Sequence, residues 1–144
     1  MTRIQFQGPL TGTLRANLID NNGDPARVLE ASKNFEVKVK WKVDVLAAQI
    51  LGGTWQIDLY AESIGDGFEG QLTYDDVPVV ANQQAYQTTL VVPAGKLQND
   101  PPPPPPTGRI SGAYKLALVL SHRNSAGTTT WIAGLVEFPV VLIR

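Results

Sequence analysis

Five carboxylates crowd the stretch "ESIGDGFEGQLTYDD": Glu62, Asp66, Glu69, Asp75 and Asp76. Oxygen donors at this density suit a hard cation such as calcium, if a hairpin tip gathers them. Their spacing matches no EF-hand loop, and a solvated turn carrying ordinary charges is the competing reading. Paired carboxylates can also hydrolyse glycosides, but that chemistry needs a deep cleft. A general base would have to be His122, the only histidine in the chain. Ser121 and Ser125 are its sequence neighbours, no Gly-x-Ser-x-Gly elbow exists, and His122 is expected as a polar residue at a strand end.

Other chemistries are excluded outright. With no cysteine there is no thiolate nucleophile, disulfide or cysteine-held metal, and one histidine cannot build a multi-histidine site. "LGGTW" leads into a strand and not a helix, so Gly52 and Gly53 read as turn residues and not as a phosphate cradle. The expectation is a non-enzyme without a cofactor. Lys38, Lys40 and Lys42 form a basic row, bracketed by Glu36 and Asp44. The row reads as a solvated face that discourages edge-to-edge pairing, with an acidic partner as the alternative. Nucleic acid is not expected, because no exposed aromatics interleave the lysines and the net charge is only −1.

The elements that must position these residues are strands. In "FEVKVKWKVDV" apolar Phe35, Val37, Val39, Trp41, Val43 and Val45 alternate with polar residues, a period of two. "GTWQIDLYAES", with Trp55, Ile57 and Leu59, and "AYQTTLVVP" repeat the pattern. "RIQFQ", "GTLRANLID" and "GQLTYDDVPVV" are weaker, and Pro78 argues that the last of these is either a sheet edge or an irregular strand. "PARVLEASKN" and "VLAAQILGG" are the only candidates for a helical turn or two. Turn signals, such as "DNNGDP", "GDG" and "NSAG", separate the strands. The 144 residues, of which 43% are hydrophobic, suit one domain spanning 1–144 with a substantial core. "MTRIQFQGPLTGTL" lacks the apolar run of a secretory signal and no segment is long enough to span a membrane, so the expectation is a cytoplasmic protein without membrane insertion.

The run "GAYKLALVL" resembles strand F of immunoglobulin-like and fibronectin type III-like sandwiches, in which a tyrosine at the strand's start ties the preceding corner through its hydroxyl. Tyr114 occupies that place, and Trp41 and Trp55 resemble the core tryptophans of candidate strands B and C. The resemblance implies an Ig-like antiparallel β-sandwich of about seven or eight strands, in which binding and assembly roles outnumber catalysis. It also places the six prolines Pro101, Pro102, Pro103, Pro104, Pro105 and Pro106 between strands E and F, which lie in opposite sheets. Six residues of polyproline II span roughly 19 Å, more than the ~10 Å between packed sheets. A rigid crossover loop is the expectation, and a docking site for a partner's aromatic groove is the alternative.

The last third departs from one wet face per sheet. If Leu116, Leu118, Trp131 and Leu135 point inward, then Ala117, Val119, Ile132 and Val136 lie outside. In the opposite register on the last strand, Trp131 and Leu135 lie outside instead. Either way an apolar patch results, continued by Val141 and Ile143 in the tail "FPVVLIR". Covering ~400 Å² of it would contribute on the order of 10 kcal/mol before association costs. The leading expectation is therefore a structural or interaction module that pairs with itself or another protein through its C-terminal strands, the tail adding a strand to a neighbour. A competing expectation has the N-terminal segment or "VLAAQILGG" fold over the patch. A third is a carbohydrate- or other ligand-binding module with Trp131, Tyr60 and Tyr74 as a stacking platform.

Overall fold

A computed structural model describes residues 2–6, 8–65, 67–97 and 112–144. The polyproline run and Asp66 lie outside the described residues. Among the described residues ten strands and one short helix follow one another: β1 (Thr2–Arg3), β2 (Gly12–Ile19), β3 (Val28–Leu29), β4 (Phe35–Val43), α1 (Val45–Ile50), β5 (Thr54–Ser63), β6 (Gly70–Pro78), β7 (Ala85–Val92), β8 (Ala113–Arg123), β9 (Thr129–Glu137) and β10 (Val141–Ile143). They form two sheets. One has the order β1-β2-β4-β7; the other has β3-β10-β8-β5-β6, with β9 also paired to β8. With β2, β4 and β7 as strands A, B and E, and β5, β6, β8 and β9–β10 as C, C′, F and G, this is the strand order of an Ig-like sandwich. The three short strands β1, β3 and β10 bring the count above the seven or eight expected.

Alternation sets what each strand buries. Along β4 every odd residue from Phe35 to Val43 is buried and the three lysines between them are exposed. Along β8 every even residue from Tyr114 to His122 is buried. Leu14, Val37, Val39, Ile57, Leu59 and Leu118 meet in one core between the sheets. β4 is a central strand, paired with β2 on one side and β7 on the other. Its lysine row therefore guards no edge, contrary to the expectation. Pro78 ends β6, which is an edge strand as expected.

The last strand is broken by Pro139, which has no N–H to donate. β9 pairs with Ala117–Arg123 of β8, and β10 resumes beside Tyr114 and Ala113. β10 is also paired, in parallel, with β3. Both of its edges are thus taken within the chain, so "FPVVLIR" has no free edge for strand addition to a neighbour. "PARVLEASKN" is not helical: its Val28 and Leu29 are β3. "VLAAQILGG" does supply α1, whose N-cap is Asp44. The Ala47 N–H donates to Asp44 Oδ1 at 2.7 Å and the Thr11 N–H to Oδ2 at 3.0 Å. These bonds, Ala47's foremost, hold the Asp44 carboxyl below the usual carboxylate range despite desolvation. Among the described residues no helix is long and apolar enough to cross a membrane.

Candidate functional site

The four described carboxylates of the acidic stretch, Glu62, Glu69, Asp75 and Asp76, do not converge. Asp75 and Asp76 are chain neighbours and so point to opposite faces of β6. Asp75 turns inward and accepts a hydrogen bond from the Thr88 hydroxyl of β7. Asp76 turns outward and pairs with Arg123 Nη2 at 3.2 Å. Glu62 lies on β5, and Glu69 is exposed in the turn before β6. Among the described residues no three histidine or acidic side chains group as a metal site would need.

His122 is not a solvated strand-end residue. It is 2% exposed, on the inner face of β8 against Trp55, with ring centroids 5.1 Å apart. Its Nε2–H donates to the Gly52 carbonyl at 2.7 Å, which leaves Nδ1 to accept from the Thr130 hydroxyl at 2.9 Å. Burial pushes the ring's pKa below its ordinary value, and the Gly52 carbonyl opposes that shift only in part. The residue is a core strut that joins the start of β5 to the β8–β9 hairpin. Gly53 makes the approach possible: at φ +96° it lies against Arg123 and Asn124, where a side chain would collide with backbone.

The outer face of the six-stranded sheet holds four of the eight residues expected in the patch, Ala117, Val119, Trp131 and Leu135. Ala117 and Val119 are half-buried on the outer face of β8. Strand β9 takes the second of the two registers. Trp131, 79% exposed, and Leu135, 46% exposed, point outward, while Ile132 is buried. Val136 also turns inward, half-buried against the core. Val141 and Ile143 are buried on β10. Ile132, Val136, Val141 and Ile143 are therefore core residues and not part of the outer patch. The cause is the pairing itself: Leu135 lies opposite Val119 and Ala133 opposite Ser121, so the odd residues of β9 share the outer face of β8, while Val141 lies opposite the buried Tyr114.

Neither intramolecular cover reaches this face. The N-terminal segment pairs with the edge of β9, through Gln5 N–H to Ala133 O at 2.6 Å and Ala133 N–H to Gln5 O at 3.1 Å. Helix α1 buries only Ala47 and Ala48. Trp131 and Leu135 remain exposed.

The face continues across four strands. Tyr74, Asp58, Val119 and Leu135 stand side by side on β6, β5, β8 and β9. At ~4.8 Å per strand this row spans roughly 14 Å. Composition gave no hint of its centre: Asp58 is a carboxylate only 5% exposed. It accepts from Gln71 Nε2 at 2.6 Å and Gln56 Nε2 at 3.1 Å. The outward parity of Asp58 within "QIDLY" was the available signal. Tyr60 is exposed on the same face, and its hydroxyl pKa is raised, first by desolvation and then by the Asp58 charge. Tyr74 is the more exposed tyrosine. The expected trio of Trp131, Tyr60 and Tyr74 thus shares one face, but Trp131 stands at the far end of β9 from the tyrosines' row.

No family model matches the sequence, and no curated protein matches it. Solved structures do. The chain is similar to part of a beta-glucosidase from Listeria innocua, in complex with glucose, at 11% identity and TM-score 0.53. The match covers 94% of this chain and 16% of that one. The same enzyme in complex with isofagomine gives 11% identity and TM-score 0.50, over 92% and 16% of the two chains. A CARDB domain from Pyrococcus furiosus, in complex with di-metal ions, gives 12% identity and TM-score 0.46 over 92% and 93%. The chain thus spans about a sixth of the beta-glucosidase it resembles. At these identities the likeness is one of fold, and the fold it supports is the all-β two-sheet sandwich.

Proposed function

We propose that the chain is a non-enzymatic interaction module that self-associates through the outer face of its six-stranded sheet. The observation that carries this reading is Trp131, a tryptophan 79% exposed, on the same face as Leu135, Val119 and Ala117. A large aromatic beside aliphatic neighbours, rimmed by Glu137, Lys115 and Arg123, has the composition of an interface centre with a charged rim. The buried Asp58, held by two glutamine amides, adds a polar anchor that keeps its hydrogen bonds when water leaves. Collisional quenching tests the reading, because Trp41 and Trp55 are both in the core. Iodide should quench Trp131 well in dilute protein and progressively less as concentration rises; quenching unchanged across the range counts against association.

One observation favours a second reading. Tyr60 and Tyr74 flank Asp58, Gln56 and Gln71, a grouping of aromatic faces and hydrogen-bonding groups suited to a polyhydroxylated ligand such as a neutral sugar. A tyrosine-dependent affinity for neutral glycans, lost in Tyr74→Ala, would support it over self-association.

A further inference from the structure

The opposite face of the molecule carries a charge pattern that the lysine row only began to show. Side chains that are directly paired in a sheet share a face, so the register of the four-stranded sheet assembles outward rows. Arg3, Thr13, Lys42 and Ala85 form one row across β1, β2, β4 and β7. Arg15, Lys40 and Gln87 form the next, and Asn17, Lys38 and Thr89 the third. Five cations thus cover three adjacent rows without one carboxylate, in a chain with 13 acidic residues against 12 basic ones. The two ion pairs found among the described residues, Lys33–Glu30 and Arg123–Asp76, involve none of the five. Arg15 and Lys40 are directly opposed, an arrangement that destabilises a sheet when nothing neutralises it. Because β4 is central, protection of an edge does not account for the lysines.

The first two rows border a groove of about 540 Å³, lined by Arg15, Lys40, Lys42, Thr13, Gln83 and Gln87 together with Trp41, Val77, Ala85 and Tyr86, and Lys38 continues the line of cations beyond it. We infer that this groove binds an acidic polysaccharide, a chain of sugars bearing carboxylates or sulfates. Charge complementarity sets the sign of the ligand. Successive outward lysines are ~6.8 Å apart along the strand, so the cations present a line and not a point, which suits a polymer. The other candidate polymers fit less well. A single-stranded nucleic acid needs exposed aromatics on which to stack, and Trp41 and Tyr86 beneath this face are buried. A protein partner needs an apolar interface centre, and of the groove's apolar lining Trp41 and Tyr86 are buried, which leaves only Ala85 and the half-buried Val77. Hydroxyl-rich sugars match what remains, the amides of Gln83 and Gln87 and the hydroxyl of Thr13.

The test measures binding of the whole chain to polygalacturonate, dextran sulfate, uncharged dextran and a single-stranded DNA oligonucleotide. The expected result is binding to at least one acidic polysaccharide, the first two probes telling carboxylate from sulfate, and none to dextran. Raising salt from about 50 to about 200 mM should weaken it several-fold, because exposed charges are screened beyond ~10 Å. Arg15→Gln with Lys40→Gln should weaken it at least about tenfold, as should Lys38→Gln with Lys42→Gln, while Lys33→Gln, off this face, leaves it unchanged. All five substituted side chains are exposed, and circular dichroism verifies that each variant keeps its sheets. No binding at low salt, equal binding to dextran, tighter binding to the DNA, or full affinity in both double variants would overturn the inference.

Discussion

Trp41 and Tyr86 are cross-strand partners whose rings stack 5.4 Å apart, with planes 9° from parallel. Trp55 reaches across from the other sheet and meets both edge-on, at 6.2 Å and 5.9 Å. His122 then packs on Trp55. This aromatic column ties the sheets together at the end where α1 and the β8–β9 hairpin lie. The Tyr86 hydroxyl also contacts both Val80 N and Val80 O, at 3.1 and 3.2 Å, fixing the β6–β7 connection. Tyr86→Phe should cost about 1 kcal/mol, the net worth of a hydrogen bond. Tyr86→Ala should cost about 3–5 kcal/mol by opening a cavity. Urea denaturation measures both, and equal costs would show that the ring contributes nothing.

Stability should fall in mild acid because of His122. Its folded-state pKa lies below the ordinary 6.5, so below pH 6.5 the unfolded chain binds a proton that the folded chain does not. The contribution is fully present above pH ~6.5 and is lost as pH falls towards the folded value, by at most about 1.4 kcal/mol per pH unit. Denaturation midpoints between pH 7.5 and pH 5 should show this slope in the native chain. His122→Gln should flatten it, and a variant that keeps the full slope would place the titration elsewhere.

Gly53→Ala should be more damaging than an exposed turn position suggests. A β-carbon there meets the backbone of Arg123 and Asn124, and the residue's positive φ already disfavours it. The expected loss exceeds about 1 kcal/mol. Gly127, also at positive φ but with open space around it, is the control and should lose less.

Much of this architecture was legible in the chain itself. The alternation from Phe35 to Val43 gave β4 and its two faces, and "GAYKLALVL" gave β8 and the inward Tyr114. Two features escaped for physical reasons. In "TTWIAGLVE" both parities are apolar, so periodicity allowed either register, and the pairing of Leu135 with Val119 across the sheet selected the one with Trp131 outside. Parity alone put His122 on the inner face, but a polar residue next to a turn suggested solvent. Its burial depends on Gly52 and Thr130, which are distant in sequence or across a hairpin. The basic face was hidden for a related reason: Arg15 joins Lys40 only through the pairing of β2 with β4.

Trp131→Ser should leave the monomer's stability within about 0.5 kcal/mol, as expected for an exposed side chain away from core features. It should at the same time weaken self-association at least about tenfold, in keeping with an aromatic residue at the centre of an interface. Denaturation of dilute protein and sedimentation across a concentration series separate the two effects.

The most direct test of the central claim is the mass of the native chain in solution, measured by light scattering beside Leu135→Glu. The account predicts a native mass that is a multiple of 15.6 kDa, and a return to the single-chain mass when a charge replaces Leu135. A native chain that stays at 15.6 kDa at every concentration, or an assembly indifferent to Leu135→Glu, would contradict it.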